Sequence, residues 1–305
     1  MERFVITGPT GWIGSALLER LAAEFGETVS DQVMLFGSHS RRIEIAGSRT
    51  VQIRALDDLR PSDCDGAHIV HLAYLTKEKA ESLGDDTFVS ANRAIDSLVL
   101  DAIERASPAS LFVASSGAAK LAEHGVDTHS YGIMKREQEE RFLAWAERTD
   151  APAIVGRIFA LAGPHINKLG SYAISDMLLQ ARDTGQIHIK AEVPVFRNYL
   201  HVMDLAALIL GCARSRLHSD QPVDLCGAEI LEMGDVATAI SRATGSVTAI
   251  VRDELDYART SSYLGKFTDT KLLAMKCGIS LTPFSVQITD TMGWLQRQNV
   301  YAKKR

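Results

Sequence analysis

Residues 4–18 read FVITGPTGWIGSALL: a short β-branched apolar run, then Gly8, Gly11 and Gly14 at intervals of three, then apolar residues at helical spacing (Leu17, Leu18, Leu21, Phe25). This strand–glycine loop–helix order constrains the chain more than any other feature. Without side chains, the loop lets the backbone approach a phosphate, and the start of the following helix favours negative charge. The competing reading is a tight turn with no ligand. Gly8, Thr10, Gly11, Trp12, Ile13 and Gly14 are therefore the candidate phosphate cradle.

The same alternation continues. QVMLFG, TVQIRAL, AHIVHLAY, SLFVASSG and PAIVGRIFALAGP read as strands two to six, with helical patterns in VSANRAIDSLVLDAIERA and YGIMKREQEERFLAWAERT. Strands alternating with helices predict a parallel sheet covered on both faces, and right-handed crossovers make it doubly wound. The expected fold is α/β, a Rossmann-type sheet with a smaller C-terminal substrate-binding lobe. Ligands of such sheets sit at the carboxyl ends of the strands. Residues 165–196 read as a helix and an edge hairpin, YLHVMDLAALILGCAR as a strand end and helix, and the chain from about 229 as short helices and loops. The expected division gives 1–164 plus about 198–228 to the dinucleotide domain, and about 165–197 plus 229–305 to the lobe.

Composition narrows the class. Of 305 residues, 46% are hydrophobic and 23% charged, with a formal net charge of −5, so no overall electrostatic footprint for nucleic acid exists. The basic end AKKR reads as a solvated tail. No apolar run approaches membrane-spanning length, and no leader is expected before the first strand. Cys64, Cys212, Cys226 and Cys277 form no CxxC pair, so neither a disulfide framework nor a metal site is expected. Reduced, buried thiols in a cytoplasmic protein fit this pattern.

The segment TGPTGWIG has GxxGxxG spacing and resembles the fingerprint of the short-chain dehydrogenase/reductase superfamily, particularly its extended branch of NAD-dependent epimerases and dehydratases that modify nucleotide sugars. The resemblance implies a serine after the fifth strand and a Tyr-x-x-x-Lys pair on the next helix. SSG at Ser115–Gly117 and YGIMK at Tyr131–Lys135 match both. Tyr131 and Lys135 lie one helical turn apart and share a face. An ammonium beside a phenol stabilises phenolate, so the tyrosine can exchange a proton near neutral pH. Ser116 is implied to hold the substrate oxygen, and Lys135 also the nicotinamide ribose. Alternation along the strand sends the neighbouring Ser115 to the opposite face.

Further matches extend the resemblance over roughly residues 1–210. HIVHLAY resembles the family's HLAA strand end beside the cofactor (Leu72, Ala73), and FVSANRAIDSLVLDAI resembles NVxGTxNLLEAA, with Asn92 in the asparagine position. GRIFALAGP, with Phe159, resembles RxFNVYGP. FRNYLHVMDLAALI resembles RDYIHVMDLA, which implies that Arg197 contacts a substrate diphosphate, as a guanidinium fork suits. His201 and Asp204 read as structural ties between lobes. The helices at about 87–106 and 131–148 resemble those forming a four-helix homodimer interface. Departures are that Ala160 replaces the asparagine, the Ser116-to-Tyr131 segment is short, and Gly117 and Ala118 stand where 4,6-dehydratases carry an Asp-Glu pair, so dehydration is not expected.

The cofactor is read after the second strand, where a carboxylate binds the ribose hydroxyl of NAD. FGSHSRR has none, and offers Ser38, His39, Arg41 and Arg42, a set suited to the extra phosphate of NADP; NAD is the alternative, and a solvated basic turn is the reading without a ligand. Asp57, after the third strand, is placed to hydrogen-bond adenine. The leading expectation is an NADP(H)-dependent reductase of a nucleotide-linked 4-keto sugar. The alternatives are a C4 epimerase with tightly held NAD and a non-catalytic NADP-binding redox sensor.

Overall fold

The computed structural model describes residues 2–45, 49–245 and 248–298. Its main sheet has eight strands: β1 (Phe4–Thr7), β2 (Val33–Gly37), β3 (Arg41–Ile45), β4 (Arg49–Ala55), β5 (His68–His71), β6 (Ser110–Ser116), β7 (Ala153–Ile158) and a last strand at Val223–Leu225. Across the sheet they run Val223–Leu225, β7, β6, β5, β1, β2, β4, β3. All neighbours pair in parallel except β3, which is antiparallel to β4. From β1 the chain builds one way through β2 and β4, then returns to place β5 on the other side of β1. The crevice between the ends of β1 and β5 is thus the switch point where such sheets bind ligands.

The burial pattern follows from side-chain alternation on the strands. Phe4, Ile6, Leu35, Val70, Phe112 and Ile154 face the helices Trp12–Phe25 and Val202–Arg214, where Leu17, Leu21, Leu205 and Ile209 are buried. Val5, Phe36, Ile69, Leu111, Val113 and Val155 face the helices Asp85–Ile103 and Ser130–Thr149, with Val99, Ile103, Phe142 and Trp145. Both faces are covered, which is why the parallel strands are continuous apolar runs.

Four sequence readings need correction. The stretch read as a basic turn opens an edge strand, β3, so Arg41 and Arg42 point to opposite faces. The segment 165–196 contains the helix Ala173–Thr184 but no hairpin: Gln186–Ile189 pairs with Ala249–Arg252, while Val195–Arg197 pairs with Leu231–Glu232 and Ser261–Tyr263. The chain beyond residue 229 therefore contributes strands as well as helices. The sixth predicted strand breaks into β7 and the two-residue strand Leu161–Ala162.

Cys64, Cys212 and Cys226 are buried free thiols and Cys277 is half-buried. Among the described residues no cluster is arranged to hold a metal, and no helix is long and apolar enough to cross a membrane. The AKKR tail lies outside the described residues.

Candidate active site

The glycine loop leaves β1 and enters the Trp12–Phe25 helix. Gly8 has φ +68, and a Cβ there would meet the backbone of Leu72 and Ala73 at 2.8–2.9 Å, so the loop lies directly against the end of β5. A Cβ on Gly14 would strike the Gly8 and Pro9 backbone at 2.6 Å, so the loop folds onto its own helix. Gly11 differs. A Cβ there would meet only the Gly8 carbonyl oxygen, at an ordinary 3.5 Å, and its φ of −73° suits any residue. The protein's own packing thus does not require glycine at 11, whereas a ligand lying against the backbone does. No side chain caps this helix, so its first N–H groups are free for an anion.

Thr7, at the end of β1, ties the two sides of the crevice. Its Oγ1 accepts the N–H groups of both Leu72 and Ala73 at 3.1 Å and hydrogen-bonds His71 Nδ1 at 2.7 Å. Asn92 Oδ1 accepts the Leu75 N–H at 2.8 Å, so Asn92 shapes the strand-end loop. Trp12 turns its indole away from the loop, donating to the Pro164 carbonyl at 2.6 Å and packing on Tyr172. Only its backbone faces the cradle.

At the end of β2, Ser38 Oγ meets His39 Nδ1 at 2.9 Å, and Arg41 reaches Thr10 Oγ1 of the glycine loop at 3.2 Å. Ser38, His39 and Arg41 thus gather beside the loop, while Arg42 pairs across from Gln52 on the other face of the edge strand. Asp57 is exposed in the short turn after β4. Ile13 is half-buried in the first turn of the helix.

The second half of the site lies where β6 ends. Ser115 and Ser116 point to opposite faces. Ser115 donates to Glu139 Oε1 at 2.5 Å, and Glu139 also grips Arg157 through two bonds of 2.9 and 2.7 Å. This ion pair is buried, with every group partnered, so it locks the Tyr131 helix to β6 and β7. Ser116 faces the crevice, where its Oγ accepts the Ala118 N–H at 3.2 Å and lies close enough to the Tyr131 phenol to act on it. Tyr131 opens its helix, whose N-cap His129 accepts the Tyr131 N–H at 3.0 Å.

Burial pushes the Tyr131 phenol above the ordinary tyrosine value, as does the nearby Tyr263, while the Ser116 hydrogen bond works the other way. Lys135 does not dominate that balance. Its ammonium donates to the Ala114 carbonyl at 2.7 Å and to Gln138 Oε1 at 2.9 Å, and lies 3.6 Å above the Tyr74 ring centre. Burial lowers its pKa to about 7, against the opposing pull of Asp96 and Glu139. Gln138 passes the contact on to Asp96 Oδ1 at 2.7 Å, which also meets His71 Nε2 at 3.0 Å. A buried polar chain therefore runs from Lys135 through Gln138, Asp96 and His71 to Thr7 at the glycine loop.

Three residues from distant parts of the chain complete the crevice. Phe159, just past β7, lies against Gly117, where a Cβ would come within 2.4 Å of its ring. Arg197 is half-buried, donates to the Phe196 carbonyl at 2.7 Å, and lies 5.5 Å from the Tyr263 ring centre. Tyr263, absent from the sequence reading, places its hydroxyl 3.1 Å from Ser116 Oγ. Tyr74, Asp96, His71 and Gln138 were likewise not singled out as site residues; His71 and Tyr74 carried a local signal, as the first residue of the HLA strand end and the residue directly after it. Asp204 accepts from the N–H and hydroxyl of Thr282 at 2.6 and 2.9 Å, and His201 lies 3.3 Å from Asp290, so both side chains engage the C-terminal part of the chain.

The arrangement sets the glycine loop and an uncapped helix start at one end of the crevice and Ser116, Tyr131 and Tyr263 at the other. Comparison with solved structures gives the same fold. UDP-N-acetylglucosamine 4-epimerase from Methanobrevibacter ruminantium in complex with UDP-N-acetylmuramic acid superposes with a TM-score of 0.75 at 16% identity, over 97% of this chain and 99% of that one. MoeE5 in complex with UDP-glucose and NAD gives 0.72 at 19% identity, over 97% and 99%. The dTDP-glucose 4,6-dehydratase DesIV from Streptomyces venezuelae, a double mutant with NAD bound, gives 0.73 at 15%, over 98% of each. No curated protein matches the sequence significantly. A family model covers residues 4–224, nearly the whole of the sheet and its helices, and by that match the chain belongs to the NAD dependent epimerase/dehydratase family.

Proposed function

We propose that the protein is an NADP(H)-dependent reductase acting on a nucleotide-linked keto sugar, using Ser116, Tyr131 and Lys135. The observation that carries this reading is that the start of the Tyr131 helix packs on the turn after Ser116, where a Cβ on Gly132 would meet the Ala118 carbonyl at 2.8 Å, in the same crevice as the glycine loop. Gly8, Gly11 and Gly14 with the first turn of the Trp12–Phe25 helix hold the pyrophosphate; Leu72, Ala73 and Phe159 line the path between. Arg41, with Ser38 and His39, holds the additional phosphate, and Arg42 remains on the outer face. Asp57 reaches toward adenine. A bound nicotinamide supplies the hydride.

The chain's own residues then govern one oxygen and one proton. Ser116 donates to the substrate carbonyl and fixes its position. Tyr131 protonates the oxygen as it becomes an alkoxide, acting as the general acid. Lys135, fixed by Ala114 and Gln138, provides positive charge at the helix's inner face. Arg197 binds the diphosphate of the substrate through charge-assisted hydrogen bonds. The division into a dinucleotide domain and a lobe, and a homodimer through the Asp85–Ile103 and Ser130–Thr149 helices, belong to the same reading.

The test is turnover of a panel of UDP- and dTDP-linked 4-keto sugars, followed as NADPH oxidation. Tyr131→Phe is expected to lose about 10²–10⁴-fold in kcat, the range for a positioned acid. Full turnover by that variant overturns the mechanism. A second reading, a C4 epimerase holding NAD, draws support from the likeness to a 4-epimerase fold. It predicts interconversion of sugars without net NADPH use and a nucleotide that stays bound through purification.

A further inference from the structure

The substrate end of the crevice is already spanned by one side chain of the protein. Tyr263 sits on the three-residue strand Ser261–Tyr263, which pairs in parallel with Val195–Arg197 in a register that sets Tyr263 beside Arg197. Its hydroxyl lies 3.1 Å from Ser116 Oγ, which also accepts the Ala118 N–H at 3.2 Å. Its ring lies between Phe159, 5.0 Å away centre to centre, and the Arg197 guanidinium, 5.5 Å from the ring centre. One side chain therefore engages both residues assigned to the two ends of the substrate.

Hydrogen bonding at the inner end sharpens the point. A serine hydroxyl is a donor that a carbonyl or alkoxide oxygen can use. The phenol oxygen of Tyr263 already occupies that hydroxyl, 3.1 Å from it. Gly117 leaves room for the Phe159 ring, which a Cβ there would meet at 2.4 Å, and Phe159 in turn packs against Tyr263.

We infer that Tyr263 is a substrate-displaced gate: its phenol stands in for the reacting oxygen, and a ligand enters by taking over the bond to Ser116. This rests on the function proposed above and adds a rule of selection. A ligand with an oxygen at the reacting carbon re-forms that bond, and an anionic tail takes over Arg197. A ligand lacking the oxygen leaves the buried Ser116 hydroxyl without that partner, which binding tolerates poorly.

The experiment compares wild type, Tyr263→Phe and Tyr263→Leu. Tyr263→Phe keeps the ring between Phe159 and Arg197 and removes only the competing oxygen. It is expected to lower KM about three- to tenfold, the worth of one net hydrogen bond or slightly more, with kcat within about twofold of wild type. Tyr263→Leu, which also frees Arg197, lowers KM further. A fall in kcat with KM unchanged makes the hydroxyl part of the reaction machinery and overturns the gate. Calorimetric titration of UDP-glucose into the NADP-saturated proteins gives a readout without turnover. Tighter binding in Tyr263→Phe supports the gate; equal affinity, or equal absence of binding, overturns it. Should Tyr131→Phe retain full activity, the proposed reaction fails, while the calorimetric comparison still judges Tyr263 alone.

Discussion

At the scale of single residues, the glycines separate structural from ligand-driven constraint. Gly14 has no room for a side chain, since an added Cβ falls 2.6 Å from backbone atoms. Gly14→Ala is expected to destabilise the fold by about 1–3 kcal/mol, the usual cost of overpacking, seen as a shift in the denaturation midpoint. Gly11 has room. Gly11→Ala is expected to cost less than about 1 kcal/mol in stability and yet weaken NADP binding about tenfold or more in calorimetry. Unchanged affinity there would mean the loop is a turn and no cradle. The two serines show what the sequence made legible: alternation alone sends Ser116 to the crevice and Ser115 to Glu139. Tyr263 was illegible because its contact with Ser116 spans 147 positions and no local pattern marks a residue brought in from so far away.

Secondary-structure elements were legible where their period was strong and their partners followed in order. The parallel strands β1, β2, β5, β6 and β7 are apolar runs whose partners come from the next strand–helix unit. The edge strand Arg41–Ile45 was not, because its core-facing signature is only two residues long, Ile43 and Ile45, set among charged, exposed neighbours at one rim. The short strands of the lobe failed for another reason. Gln186–Ile189 and Val195–Arg197 each find their partner dozens of residues later, so pairing with one another was only the nearest guess.

One lobe element supports a quantitative test. Glu232 caps the Met233–Thr244 helix, accepting the Gly234 N–H at 2.7 Å, and pairs with Arg252 through two bonds of 2.7 Å. Burial alone would raise its pKa, but Arg252 and the Gly234 and Val195 amides outweigh that and hold it at about 2, below the ordinary 4.5. The folded value is depressed, so this stabilisation is present above about pH 4.5 and is lost as pH falls toward 2. Glu232→Gln is expected to cost about 1–2 kcal/mol at pH 7, from the lost charged cap and ion pair. In urea denaturation the difference from wild type should shrink as pH drops through that window. A pH-independent difference would contradict the assignment.

The whole molecule is organised around the point where its strand order reverses. The glycine loop at β1, the strand end at Leu72 and Ala73, the Ser116 turn after β6 and the first turn of the Tyr131 helix converge there because parallel strands end on one side of the sheet. A buried polar chain from Lys135 to Thr7 joins the two halves of the crevice, so the glycine loop and the helix that carries Tyr131 are tied together. The most direct measurement is a crystal structure of the protein with NADPH bound. The account predicts the pyrophosphate over Gly8–Gly14, the additional phosphate at Arg41, and the nicotinamide facing the hydroxyls of Ser116 and Tyr131. A dinucleotide bound elsewhere, or a Tyr131 hydroxyl directed away from the nicotinamide, would contradict it.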